Sequence, residues 1–467
     1  MKMRIWLFTV LLLSCSKSVP KTILKPTETW LGVYLAEKKV GYSVTKSQAI
    51  PNGYQIISRT KMSLKMMERQ SEINSYFTGT TDSELTLKSF DMDFVTKGSS
   101  FRMKGKRVNS KLEITVTSSG ETKTNVIDVR GKLYPAAVIG NIVAGQGLTI
   151  GKTHHLKIFE PTVMNAVDTK VTIEKKERIK VKNQEYDAWC LNVTMLGLTS
   201  TTWIDSTGET IKEESPPGIV MLRVTPQEAL AEIGEDKTLD VLSLFSIRVP
   251  TIIPNPRAVS YLKVALLNID TSNLRLRDES QTIVDTNPLV LEIKTEPIPA
   301  AKIPLPVRHE TEFTKPSLAI QSDNPKIKDK AQSIIQGSKD GVSAVEKLIA
   351  WVFNNVEKRA TASLPSAIDV LNNLAGDCNE HSVLFAALAR SVGIPTKVVV
   401  GLVYLDNGFY YHAWNKVYLN RWIAVDPTFN QFPADATHLK LQEGELSEQA
   451  KVLKIVGKLA LEIKEFR

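Results

Sequence analysis

From Thr29 to about Ile247 the chain reads as one run of strands and turns, and that run limits the fold more than any other feature of the sequence. Trp30-Leu31-Gly32-Val33-Tyr34 and Val40-Gly41-Tyr42-Ser43-Val44 form a hairpin around Glu37-Lys38-Lys39. Lys111-Leu112-Glu113-Ile114-Thr115-Val116-Thr117 alternates with period two, and Thr202-Trp203-Ile204-Asp205 before Ser206-Thr207-Gly208-Glu209 is a further hairpin signal. Successive side chains along a strand point to opposite faces, and sheets twist with a fixed hand. Repeated half-apolar strands joined by turns therefore build a large, strongly curved antiparallel sheet, expected over residues 29–247. The basic stretch at residues 175–182 alternates in the same way and reads as a solvated face of that sheet. The net charge of +9 is spread along all 467 residues, and no run is dense enough to argue for nucleic acid.

Two proline-rich stretches, residues 250–256 and 297–306, read as boundaries. Between them Ser260-Tyr261-Leu262-Lys263-Val264-Ala265-Leu266 and Leu289-Val290-Leu291-Glu292-Ile293-Lys294 predict strands of a small middle element over residues 248–310. Residues 324–337, 342–358 and 366–374 predict amphipathic helices that open a C-terminal domain over residues 318–467. The expected fold class is α+β: an N-terminal antiparallel β domain, the small β middle element and a C-terminal α+β domain.

The C-terminal domain carries the chemistry. Gly376-Asp377-Cys378 reads as loop, N-cap and first helical residue, with an apolar helix from Cys378 to Arg390 that Gly393-Ile394-Pro395 stops. A buried strand at residues 396–405, the turn Asp406-Asn407-Gly408 and a second strand at residues 409–419 place His412 mid-strand. Asn420-Arg421 leads to a third strand, Trp422 to Val425, which delivers Asp426. The thiolate is the nucleophilic form of cysteine, and a helix N-terminus favours negative charge, so Cys378 is expected to have a lowered pKa. In that constellation Cys378 attacks a carbonyl carbon, His412 takes the thiol proton and later protonates the leaving group, and Asp426 orients the imidazole. The backbone N–H of Cys378 is a candidate oxyanion donor.

These three blocks resemble the transglutaminase-like superfamily, a relative of the papain-type thiol enzymes. Gly-x-Cys opens a helix, His412-Ala413-Trp414 lies in a strand, and Asp426-Pro427 follows a tryptophan strand; residues 429–438 resemble its bacterial branch. The resemblance implies a Cys378/His412/Asp426 triad on a papain/transglutaminase-like domain, with a protein or peptide substrate. Cross-linking transferases, peptidases, amidases and inactive members all occur in that superfamily. The strand run at residues 29–247 is similar to β-domains that precede such domains in bacteria.

Other residues are weighed against this site. His381 lies one helical turn after Cys378 and is a rival base, although a helical neighbour is poorly placed for Asp426 to orient. Asp435 and His438 read as loop or helix-cap residues, with a role in shaping the site as the alternative. His154-His155 lacks a third ligand at a useful spacing, so neither a metal nor an organic cofactor is expected. Cys190 sits in a strand pattern and reads as a buried thiol.

At the N-terminus a short basic region precedes an apolar stretch too short to span a bilayer, ending in Leu12-Leu13-Ser14-Cys15. This resembles a bacterial lipobox. It implies a signal peptide at residues 1–14, lipidation of Cys15, a tether at residues 15–28, and attachment of the cell-envelope protein to a membrane through that anchor. The competing reading is a non-catalytic peptide-binding or envelope assembly protein that uses the same cleft or the β domain.

Overall fold

The computed structural model describes residues 24–66, 69–96, 99–118, 121–231, 244–359, 366–444 and 446–467. The leader expected at residues 1–14 and the anchor residue Cys15 lie outside them. Strand outweighs helix throughout the first half of the chain, and the α+β division expected from the sequence is present in coarse form.

Fifteen strands form one sheet that grows outward in two directions from Thr27–Leu35. On one side each strand pairs with its successor as far as Glu121–Asp128. On the other, Thr27–Leu35 pairs antiparallel with Ile219–Arg223, and the order runs backwards through the sequence to Tyr134–Pro135. The sheet curls over the short helix Ile139–Gly145, so that Tyr54 and Ile56 of one wing share a core with Ile158, Val171, Ile173 and Leu191 of the other. Leu24 is buried in that core and donates its N–H to Tyr54 Oη at 3.3 Å, within the range expected to be tether.

In the C-terminal half the helices Pro325–Ile335, Gly341–Asn355, Ala367–Asn373 and Cys378–Ser391 form close to their expected positions. Asp340 and Asp377 each close a capping box, which satisfies amide donors that a helix start otherwise leaves unpaired. Ile327, Leu348, Val352, Leu384, Phe385 and Val417 are fully buried in one core between these helices and the sheet. The five-stranded sheet runs Ile247–Arg248, Gly408–Tyr418, Thr396–Leu405, Leu439–Glu443, with Trp422–Val425 added to Gly408–Tyr418.

A second sheet orders Gln281–Thr286, Leu289–Lys294, Tyr261–Leu267 and Ala460–Phe466. The segment between the proline-rich stretches thus takes its fourth strand from the far end of the chain. Its Leu262, Val264 and Leu291 share a core with Leu402, Tyr404 and Phe409 of the five-stranded sheet. A buried ion cluster fastens the two together. Asp278 lies 2.9 Å from Lys416 Nζ and 2.8 Å from Lys440 Nζ, while Glu296 lies 3.2 Å from Lys416. Lys416 is on the His412 strand, so this cluster also steadies the site.

Removing one member of a buried ion group leaves its partners uncompensated, at a cost of about 3–5 kcal/mol. Asp278→Ala is therefore expected to lower unfolding stability by about that amount, measured by chemical denaturation; a loss below about 0.5 kcal/mol would show that the cluster does not hold the sheets together.

Candidate active site

Asp426 organises the site. It follows a strand whose four residues are all buried, and it is itself fully buried. One carboxylate oxygen, Oδ1, accepts from the backbone N–H groups of Thr428 at 2.7 Å and Phe429 at 3.1 Å, which folds the chain into a turn closed by the Asp426–Gln431 bridge. The other oxygen, Oδ2, meets His412 Nε2 at 2.8 Å and His438 Nε2 at 2.9 Å. Burial opposes the charge of this carboxylate, but His412 and His438 outweigh it and hold its pKa below the usual carboxylate range.

His412 is set by its strand and by aromatic neighbours. Its ring stacks against Phe429 at a centroid distance of 5.1 Å and runs nearly parallel to Trp414 at 6.2 Å. Gly401 stands opposite His412 in the register; a Cβ there would lie 2.0 Å from the Leu439 carbonyl oxygen and 2.8 Å from the Trp414 ring. Because Nε2 serves Asp426, Nδ1 is the nitrogen left for proton transfer.

Cys378 reaches this strand through a gap. Gly408–Tyr418 pairs with Ile247–Arg248 at Gly408 and Phe409 and with Trp422–Val425 from Asn415 onward. Among the described residues, 410–414 have no strand partner along that edge. The half-buried Cys378 thiol meets the Ala413 backbone N–H there, next to His412. Among the described residues, no hydrogen bond joins Cys378 to His412 in this resting arrangement.

The thiol itself corrects the sequence expectation. Burial, then the charge of Asp377, pushes the Cys378 pKa well above the ordinary thiol value; Glu380 and Asp426 add to the rise, and the Ala413 N–H works against it. The reason is local: the residues that cap this helix are carboxylates. Asp377 accepts from Asn379 N at 2.8 Å, and Glu380 accepts from Asp377 N at 3.0 Å. Burial and Glu380 hold the Asp377 carboxyl well above the usual range.

His381 is not arranged as a base. Its Nδ1 meets the Asp377 carbonyl at 2.7 Å and its Nε2 meets the Val356 carbonyl at 3.3 Å. Asp435 and His438 lie in a loop, as expected, and they also shape the site, the alternative that the sequence left open: both are buried, His438 against Asp426, with His438 Nδ1 at 3.0 Å from the Asp435 carbonyl. Behind them Arg257 sits 3.1 Å from Asp435 Oδ2 and 4.7 Å over the Phe429 ring. The signal that could have found His438 is its place shortly after the Asp426-Pro427 block, in a run that already resembled the bacterial branch.

His412, Asp426 and His438 bring three donor atoms within 4.8 Å of one another, a set that could in principle hold a metal. The contacts read instead as hydrogen bonds, since each imidazole nitrogen approaches Oδ2 at donor–acceptor distance. His154 pairs with Gln146 at 2.8 Å, and Cys190 and Cys378 are both free thiols.

The fold and this cluster define a C-terminal domain with a helix-borne thiol beside a strand-borne histidine and its carboxylate. Residues 328–427 match the model of the transglutaminase-like superfamily. The chain thus carries a transglutaminase-like superfamily domain, ending one residue after Asp426. No curated protein matches the chain. A solved structure described as a candidate cysteine protease from Cytophaga hutchinsonii is 20% identical, covering 45% of this chain and 86% of its own, with a TM-score of 0.30. A β-barrel-like protein from Brucella abortus is 16% identical, covering 43% of this chain and 96% of its own, with a TM-score of 0.33. A candidate protease from Parabacteroides distasonis is 10% identical, covering 73% and 69%, with a TM-score of 0.21. At these TM-scores none of the three defines the fold of this chain.

Alkylation of Cys378 by iodoacetamide across pH, followed by mass spectrometry, is expected to give a midpoint above the ordinary thiol value of about 8.5. Glu380→Gln keeps an acceptor for the helix cap and removes a negative charge, so it should lower that midpoint. A midpoint at or below about 7 in the unmodified protein would contradict the electrostatics described for this thiol.

Proposed function

We propose that this protein is a cysteine-dependent enzyme that opens a peptide or isopeptide amide through an acyl-thioester on Cys378. The reading is carried by one observation: His412, next to Ala413 in the strand, is held by its Nε2 on a buried, ionised Asp426, which leaves Nδ1 free to take a proton.

The raised thiol pKa assigns the order of events. The resting thiol keeps its proton, and His412 Nδ1 removes it as Sγ attacks the carbonyl carbon, acting as general base. The tetrahedral adduct collapses, the C–N bond breaks, and the proton on Nδ1 passes to the leaving amine. Asp426 keeps the other ring proton on Nε2 and stabilises the imidazolium formed in between. A water molecule then gives its proton to Nδ1 and attacks the thioester, which returns the free thiol and releases a carboxylic acid. An amine in place of water would make the enzyme a transferase. We favour hydrolysis, because no motif in the sequence marks a dedicated amine site. The backbone N–H groups of Cys378 and Ala413 are the candidate donors to the oxyanion.

We further propose that Cys15 carries the lipid anchor of an envelope protein, with the large sheet presenting or positioning substrates for the C-terminal domain. The support is the Leu12-Leu13-Ser14-Cys15 sequence after a short basic region and an apolar stretch.

The test is an acyl trap. The protein is mixed with p-nitrophenyl acetate, quenched in acid and digested, and the Cys378 peptide is weighed. An acetyl adduct is expected at Cys378, formed more slowly by a factor of roughly 10²–10⁴ in His412→Ala. Release that quickens with added glycinamide would favour transfer, and release indifferent to it would favour hydrolysis. A native protein that never acquires the adduct would sink the enzyme reading in favour of a binding or assembly role.

A further inference from the structure

The second histidine is the unexpected part of the site. His438 places both ring nitrogens against acceptors: Nε2 on Asp426 Oδ2 at 2.9 Å, and Nδ1 on the Asp435 carbonyl at 3.0 Å, with Asp435 Oδ1 at 3.5 Å. A neutral imidazole has one donor and one acceptor nitrogen, so it can satisfy only one of these contacts. With Asp426 ionised, the doubly protonated ring is the form that satisfies both contacts, one of them to a charged carboxylate.

That cation is part of a chain of alternating charge. Arg257 pairs with Asp435, Asp435 with His438, His438 with Asp426, and Asp426 with His412. Asp435 Oδ1 also accepts from Thr437 N at 2.8 Å, which fixes the carboxylate that holds His438. Arg257, Asp435 and His438 all fall outside the matched residues 328–427, and Arg257 directly follows the proline-rich stretch at residues 250–256. The family segment alone therefore supplies the pair His412 and Asp426, and the flanking chain supplies the charge behind it.

We propose that His438 is a positioning residue: an imidazolium that shares Asp426 with His412 and keeps that carboxylate ionised and fixed in place for it. This rests on the thiol-enzyme reading above. Sharing has a direction. A positive ring with its centroid 5.9 Å from that of His412 disfavours a second positive charge there. The charged ring also keeps Asp426 available to His412 as an ionised acceptor. The groups facing the two rings are Asp426, Asp435, Arg257 beyond Asp435, and Cys378 at the Ala413 gap; Lys358 adds a more distant positive charge that acts on Asp426. Burial opposes the charge on His438, but the hydrogen bonds to Asp426 and Asp435 outweigh it and raise its pKa to about 9.

The experiment is an NMR titration of the ring carbons in the full chain carrying Cys378→Ala, which silences the thiol. The chain has 6 histidines, and single His→Gln variants assign their signals. His438 is expected to stay charged to about pH 9. His438→Gln keeps a donor to Asp426 but removes the charge, and the His412 ring-carbon signals at neutral pH should then shift, because the carboxylate they share has lost its charged partner. Asp435→Asn should lower the His438 midpoint. A purely structural His438 would leave the His412 signals where they were, and that result overturns the proposal. So does a His438 that titrates near the free value of about 6.5 in the parent protein, a reading that requires no folded His438 variant. The titration uses no substrate, so failure of the thiol-enzyme reading would show in the acyl trap and leave this result intact.

Discussion

The C-terminal domain depends on how one buried carboxylate is satisfied. Asp426 has no access to water, and an ionised carboxylate in that position is stable only if its oxygens are fully used. Two backbone N–H groups take Oδ1 and two imidazoles take Oδ2. Those four bonds fix the turn after the Trp422–Val425 strand, the rotation of His412 and the approach of the segment bearing His438. Loss of any one leaves charge stranded in a dry site, where an unpaired group costs far more than it does in water.

The thiol is under the opposite influence. Helix N-termini usually favour thiolates, yet here the N-cap and the third helical residue are themselves carboxylic acids, and their presence with burial outweighs the dipole. The consequence is a nucleophile that is quiet at rest and depends on its base. A thiol of this kind resists indiscriminate oxidation and alkylation, because both follow thiolate character. In the proposed reaction His412 decides when the nucleophile exists, and His438 holds the carboxylate that orients His412.

Much of this domain was legible in the sequence, for physical reasons. The strands Thr396–Leu405 and Trp422–Val425 are short apolar runs between strong turn signals, and both form where expected. The Cys378 helix announces itself by Asp377 as cap and Gly393-Ile394-Pro395 as stop. His412 and Asp426 follow, because adjacent strands joined by a tight turn pair antiparallel in one register. What was hidden is long-range. Nothing local in Ala460–Phe466 says that it completes a sheet with Tyr261–Leu267. The order of the fifteen-stranded sheet, with Thr27–Leu35 at its middle, depends on one pairing between strands far apart in the chain. The role of His438 stood only as an alternative because Asp435 and Thr437 around it make a local turn that looks like a loop, and its partner is fixed only by the fold. The thiol's raised pKa was missed because dipole and neighbouring carboxylates act in opposite directions, and only burial decides between them.

The most direct test of the account replaces the central carboxylate while keeping its shape. In Asp426→Asn the rate at which Cys378 takes up acetyl from p-nitrophenyl acetate at neutral pH is measured against the unmodified protein, with circular dichroism confirming that both are folded. If Asp426 sets the tautomer and charge of His412, the rate should fall by a factor of roughly 10²–10⁴, the range that loss of general-base assistance gives. A folded variant whose thiol reacts within about threefold of the original would contradict it, because Cys378 would then be working without the His412–Asp426 pair.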